Sequence, residues 1–268
     1  MEPTRILFVC TEMEPYLPAS RIATIVRTLS QGIQDKGHEI RVFIPRYGNV
    51  NERRNQLHEV IRLSGMNLII DDADHPLVIK VASLPATRMQ VYFIDNDDYF
   101  QRKSTFFDEE EKFFDDNDER SIFFVRGVLE TVKKLRWSPD VVHCHGWFTA
   151  LLPVFLRKSY KSDPLFSKTK IVLSLYNEAF PQLFNARFKD KMVRDGIKQK
   201  DVEQLAHPSY ENLMKLAIQY VDGIILGDRS VGKALENHVK ALNKPLLTHH
   251  AGGFVDTYDS FYNKIIAK

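Results

Sequence analysis

The sequence predicts an α/β fold: a Rossmann-like, doubly wound, mostly parallel sheet carrying a small β insertion. Three observations point there. Short apolar runs of strand length alternate with amphipathic stretches of helical period along most of the chain. One stretch, residues 56–98, breaks that rhythm with closely spaced strand-like runs and no long helix. The 268 residues are 44% hydrophobic and 27% charged, enough for one large buried core without disulfides or metals.

The elements follow in order. Arg5 to Cys10 is a short apolar run suited to a strand buried on both faces. Ser20 is placed to cap a helix in which Ile22, Ile25, Val26, Leu29 and Ile33 fall on one face, and Gly37 closes it. Glu39 to Pro45 is the second strand, followed by a turn at Pro45-Arg46-Tyr47-Gly48. In the insertion, His58 to Leu63, Leu77 to Leu84 and Met89 to Asp95 read as strands. The acidic run over residues 108–119 reads as a solvated loop, whose charges favour the start of a helix from Glu119 to Arg136. Asp140 to His145 is a strand, and Trp147 to Tyr160 a helix that Pro153 must kink or start late. Lys170 to Tyr176, Asp222 to Gly227 and Pro245 to His249 are strands, with helices at Tyr210 to Tyr220 and Val231 to His238. Residues after Gly252 form a trailing helix or tail.

The bulk properties exclude several classes. With 37 basic and 35 acidic residues the net charge is +2, so nothing drives the chain toward nucleic acid or an anionic membrane. The two cysteines, Cys10 and Cys144, sit in strand-like runs and read as buried and reduced. No apolar run approaches the roughly 20 residues needed to span a bilayer, and the start Met1-Glu2-Pro3-Thr4 lacks a basic leader. The expected location is the cytoplasm.

In open α/β sheets ligands bind beyond the carboxyl ends of the strands. The loops at 10–21, 144–148, 176–183, 227–231 and 249–253 therefore hold the candidate site. His143 and His145 share a strand face and could begin a metal site, but no third ligand is suggested, and no metal or other cofactor is expected. His249 and His250 read as ordinary loop histidines. The aromatics Tyr92, Tyr99, Phe100, Phe106, Phe107, Phe113 and Phe114 are candidates to stack on sugar rings, although several must belong to the core.

Six segments fall in one order and spacing: Cys10 to Pro15, Gly37 to Gly48, Val91 to Phe100, Asp116 to Phe124, Trp137 to Pro153 and Val221 to Asp228. Together they resemble the N-terminal catalytic domain of bacterial glycogen and starch synthases, retaining GT-B glycosyltransferases that use ADP-glucose. The resemblance runs from about Arg5 to about Val255. It implies a domain over residues 1–255, a tail over 256–268, and an absent C-terminal nucleotide-binding domain.

The resemblance also implies where donor and acceptor chemistry would sit, and the sequence departs from the family there. The K-x-G-G-L segment that meets donor phosphate becomes Pro18-Ala19-Ser20-Arg21-Ile22, with Arg21 as the remaining cation. The aspartate that follows becomes Thr24. The HDW triplet becomes His145-Gly146-Trp147, and the histidine of T-x-HN becomes Tyr176, beside a retained Asn177. Pro18, Thr24, Gly146 and Tyr176 are thus degenerate catalytic positions. Ser20, Arg21, His145, Trp147 and Asn177 remain as substrate-binding candidates. Transition-state contacts are each worth about 2.7–4 kcal/mol, so losing several would cancel most of a rate enhancement.

Three functions follow as expectations. The first is a non-catalytic homologue acting in glycogen metabolism, binding α-glucan, ADP-glucose or a full-length synthase. The second is a glucosyltransferase moving glucose from ADP-glucose to an α-1,4-glucan with a separately encoded second domain. The third is a structural module that pairs with itself.

Overall fold

The computed structural model describes residues 3–84, 87, 89–249 and 252–267. Its strands are β1 (Arg5–Cys10), β2 (Glu39–Pro45), β3 (His58–Glu59), β4 (Met66–Ile70), β5 (Ala73–Ser83), β6 (Gln90–Asp95), β7 (Val141–His145), β8 (Lys170–Leu175), β9 (Gly223–Leu226) and β10 (Leu246–Leu247). The helices are α1 (Arg21–Asp35), α2 (Asp97–Phe100), α3 (Asn117–Leu135), α4 (Leu152–Lys158), α5 (Phe188–Met192), α6 (Tyr210–Tyr220), α7 (Lys233–Ala241) and α8 (Phe254–Ile266).

The sheet order is β10-β9-β8-β7-β1-β2-β6-β5-β3, with β4 paired to β5. From β10 to β6 every neighbouring pair is parallel. The insertion adds antiparallel β5, β4 and β3 at one edge. β7 lies near the centre, buried at all five positions, which is why its sequence is not alternating. The expected fold, a doubly wound sheet with a β insertion, is therefore present.

Local signals set the helix ends. Ser20 caps α1 by accepting from the Ala23 N–H at 3.1 Å, and Gly37 follows it at φ +91°. Pro153 lies in the first turn of α4, where its missing N–H costs nothing. The expected helix over 147–160 thus starts late, after a separate turn of 3₁₀ helix at Trp147–Thr149.

Three expectations change. The run at 58–63 yields only a two-residue strand, and Ile61 is left 83% exposed. A strand at Met66–Ile70 appears instead, pairing Leu68 and Ile70 inward against β5. The final strand shrinks to Leu246–Leu247. Residues 254–266 form a docked helix: Tyr258, Phe261, Tyr262 and Ile265 are buried. It lies so close to the sheet that a Cβ on Gly223 would meet Ile265 at 2.8 Å.

The acidic segment is also less solvated than its composition suggests. α3 begins at Asn117, and Asp118 is fully buried, bonded to Lys191 of α5 at 2.8 Å. Burial pushes the Asp118 carboxyl up to about 6 despite that ammonium. Beside it Arg120 is wholly enclosed, near the rings of Tyr47, Phe100, Phe114 and Phe148. Its guanidinium donates to the Tyr99 carbonyl at 2.8 Å, the Thr105 carbonyl at 2.7 Å and Asn117 Oδ1 at 2.6 Å. Burial lowers its pKa to about 10, so it stays charged at neutral pH. One side chain therefore ties residues 99–117 onto α3. Arg120→Ala strands those acceptors without a donor, and should lower the unfolding free energy by about 3 kcal/mol or more. Urea denaturation reads this as a lower midpoint with an unchanged slope.

Candidate functional site

The carboxyl ends of β1, β7, β8 and β9 form a continuous rim, and most of the expected residues stand on it. The alternation of β7 places His143 and His145 on one face, with ring centroids 3.8 Å apart. His143 Nδ1 lies 2.6 Å from the Tyr262 hydroxyl, and its Nε2 lies 2.8 Å from Ser174 Oγ. His145 Nδ1 lies 2.8 Å from the Tyr176 hydroxyl. Burial holds the His143 pKa well below its usual value, helped by the neighbouring ring, and holds His145 at about 3. Both are neutral members of a hydroxyl network. No group of three metal-ligating side chains forms among the described residues. His250 lies outside the described residues.

Tyr176 is only 1% exposed. Its ring lies over Gly227, where a Cβ would meet the ring at 2.4 Å, so β9 must end in glycine at that point. Asn177 is exposed, and its N–H donates to Asp228 Oδ2 at 2.9 Å.

Gly146 adopts φ +85°, and a Cβ there would meet Thr11 Oγ1 at 2.2 Å and Glu178 Oε1 at 3.2 Å. A side chain at 146 is thus excluded by backbone conformation and by occupied space. Glu178 fills that space. Its Oε2 accepts the Trp147 N–H at 3.1 Å. Burial pushes the Glu178 carboxyl up to about 8; the Trp147 N–H opposes this, while Glu12 and Asp228 add to it. Trp147 itself is buried among Phe106, Phe113, Phe180 and Phe184.

On the first loop, Ser20 caps α1 and donates to the Glu12 carboxylate. Thr24 donates to Glu14 Oε1 at 2.9 Å, and Pro18 is exposed. Arg21 is exposed but paired. It forms an ion pair with Asp228 and donates from Nη2 to the Gly227 carbonyl at 3.1 Å.

Two cavities flank the rim. One of 350 Å³ is lined by Glu12, Pro18, Ser20, Asn49, Lys103 and Phe107. The other, of 550 Å³, has Phe180, Leu183, His207, Tyr210, Asn212 and Lys233 in its wall. Of the aromatics offered as sugar platforms, Tyr92, Tyr99, Phe100, Phe106 and Phe113 are buried in the core. Phe107 and Phe114 keep partial exposure.

The sequence pattern of the starch synthase catalytic domain matches residues 5–237. This chain belongs to that family. Among starch synthase relatives, the glycogen synthase of Chlorobium limicola is 38% identical over 174 residues, covering 65% of this chain and 36% of the relative. The glycogen synthase of Chlorobium phaeobacteroides is 32% identical over 251 residues, covering 89% and 51%. The chain thus spans about half or less of the length of these relatives. The catalytic domain of starch synthase IV from Arabidopsis thaliana, bound to ADP and acarbose, superposes with a TM-score of 0.74 at 18% identity, over 96% of this chain and 53% of that one. That likeness shows the GT-B type of fold. No helix among the described residues is long and apolar enough to cross a membrane.

Within this starch synthase domain, Ser20, Arg21, His145, Gly146, Trp147, Tyr176 and Asn177 gather at one rim, but His145, Trp147 and Tyr176 are enclosed. Glu178 and Phe180 were missed by motif comparison, and Asp228 entered it without a role, although all three lie in loops or at loop ends that the strand-end rule singles out.

The buried titratable groups oppose one another. His143 and His145, depressed below 6.5, make stability fall as pH drops from about 6.5 toward 3, because the unfolded chain takes up protons that the fold refuses. Glu178, raised from 4.5 to about 8, stabilises below 4.5 and loses that contribution as pH rises through 8. Between about pH 4.5 and 6.5 the carboxyl therefore cancels part of the histidine effect. Glu178→Gln should steepen the loss of stability toward acid by about 1.4 kcal/mol per pH unit across that window. Denaturation midpoints taken at pH 5 and 6 measure it; equal slopes would show that the Glu178 pKa is not raised.

Proposed function

We propose that this chain is an α-glucan-binding homologue within the starch synthase family and does not itself transfer glucose. One observation carries the reading: Tyr176, where the family resemblance implies a histidine reaching the glucosyl unit, is buried, with its hydroxyl spent on His145 and its ring on Gly227. The lost donor-site lysine supports it, since the remaining cation, Arg21, is held by Asp228 and the Gly227 carbonyl. Glucan binding is supported by the 550 Å³ cavity, where Phe180 offers a partly exposed ring beside the hydrogen-bonding groups of His207 and Asn212. Such a floor and rim suit a sugar ring. Action in glycogen metabolism follows from the family, and a cytoplasmic location agrees with it.

A second reading is favoured by Glu178, whose carboxyl stands in the side-chain space of Gly146. It supplies an acid where the family's aspartate is missing, as a transferase working with a separate nucleotide-binding domain would need.

Glycogen co-sedimentation and a coupled assay of ADP release from ADP-glucose with glycogen separate the two. The proposal expects sedimentation without ADP release, and turnover above the protein-free blank would overturn it. Phe180→Ala should weaken sedimentation about tenfold if the ring stacks on glucose.

A further inference from the structure

Two turns of opposite charge rise from the wall of the 350 Å³ cavity. One, over residues 51–57, starts just beyond Asn49; the other, over residues 106–114, starts from Thr105 and carries Phe107. Their roots are joined, because the Gly48 N–H donates to the Arg102 carbonyl at 2.8 Å.

Both turns are fixed by their own hydrogen bonds. In the first, Asn51 Oδ1 accepts the Arg54 N–H at 2.8 Å, and the Asn51 carbonyl accepts from Asn55 Nδ2 at 2.8 Å. In the second, Asp108 Oδ1 accepts the N–H groups of Glu110 at 2.9 Å and Lys112 at 2.8 Å. Below that tip the Phe114 N–H donates to the Phe106 carbonyl at 3.0 Å. Side chains on such tips are held at set places, with little backbone freedom left to lose on contact.

The charges at the tips are uncommitted. Arg53 and Arg54 on the first turn, and Glu109, Glu110 and Glu111 on the second, are exposed. None of these side chains makes a hydrogen bond or ion pair among the described residues. Glu52, the carboxylate beside the arginines, is taken by Arg46 and Lys80. Lys112 offsets one glutamate, and Lys103, exposed on the cavity wall, adds to the basic side. Between the turns the wall is partly apolar, with Pro18 and Ala19 exposed and Phe107 half-buried.

We propose that this face pairs with a second copy of the chain, the arginine turn of each protomer meeting the glutamate turn of the other. A two-fold axis makes both contacts at once, whereas the parallel alternative sets like charge against like. Each exposed ion pair contributes little and is screened by salt. The dimer is therefore weak and salt-dependent. The pairing calls on no residue of the 550 Å³ cavity, so it stands or falls apart from the proposed function.

Sedimentation equilibrium of the full chain tests this at about 100 μM protein, in about 20 mM and about 500 mM salt. A dimer at low salt and a monomer at high salt are expected. The double variant Arg53→Glu/Arg54→Glu, and separately Glu109→Lys/Glu110→Lys, should each be monomeric at low salt. The replaced side chains make no hydrogen bond or ion pair within the chain, so both variants keep the parent's melting temperature. An equimolar mixture of the two should recover the dimer mass, because each reversed turn then faces its opposite. A parent that is monomeric at low salt, a species larger than a dimer, a reversal that leaves the dimer intact, or a mixture that stays monomeric overturns the proposal.

Discussion

The contact between the Tyr176 hydroxyl and His145 Nδ1, 2.8 Å long, ties β8 to β7 at the carboxyl edge of the sheet, and much of the rim is arranged around it. With the hydroxyl anchored there, the tyrosine ring lies flat over Gly227. Gly227 then presents its carbonyl to Arg21 and His249. Arg21 in turn holds Asp228, and Asp228 holds the backbone of Asn177. One aromatic side chain thus decides which groups at the strand ends are committed to the fold and which remain free. A histidine at 176 is smaller and would leave room at that point; tyrosine closes it.

The same edge shows how burial sorts charge. His143 and His145 are kept neutral by burial, with hydroxyls from Tyr262, Ser174 and Tyr176 around them. Arg120 keeps its charge inside the protein with three acceptors on its guanidinium. Glu178 is the intermediate case. It has one N–H to accept from and two carboxylates nearby, so it holds its proton into the neutral range. The strand-end rim therefore has a neutral inner layer and a charged outer one.

Much of the fold was legible from periodicity. β1, β2 and α6 lie where apolar spacing and caps put them, because each buries a contiguous apolar face with ordinary end signals. β4 was not legible, because Met66-Asn67-Leu68-Ile69-Ile70 becomes a strand only through pairing with β5. The acidic run misled for a related reason. Its average composition is that of a solvated loop, yet Asp118 is carried inward by the helix phase and meets Lys191, 73 positions away. α8 read as a trailing segment because nothing local reveals that Tyr262 reaches His143, 119 positions earlier.

The sequence alone determined the family, the alternation that makes the sheet, and which loops could bear a ligand, because these follow from local period, turn chemistry and motif order. It also showed which polar residues had been replaced. Only the tertiary structure decided what the replacements do. Tyr176 and Arg21 look like available side chains in a row of letters, and both are occupied once β7, β8 and β9 lie side by side. Glu178 looks incidental and takes the space that Gly146 vacates. Availability depends on distance and burial, and those are properties of the packed chain.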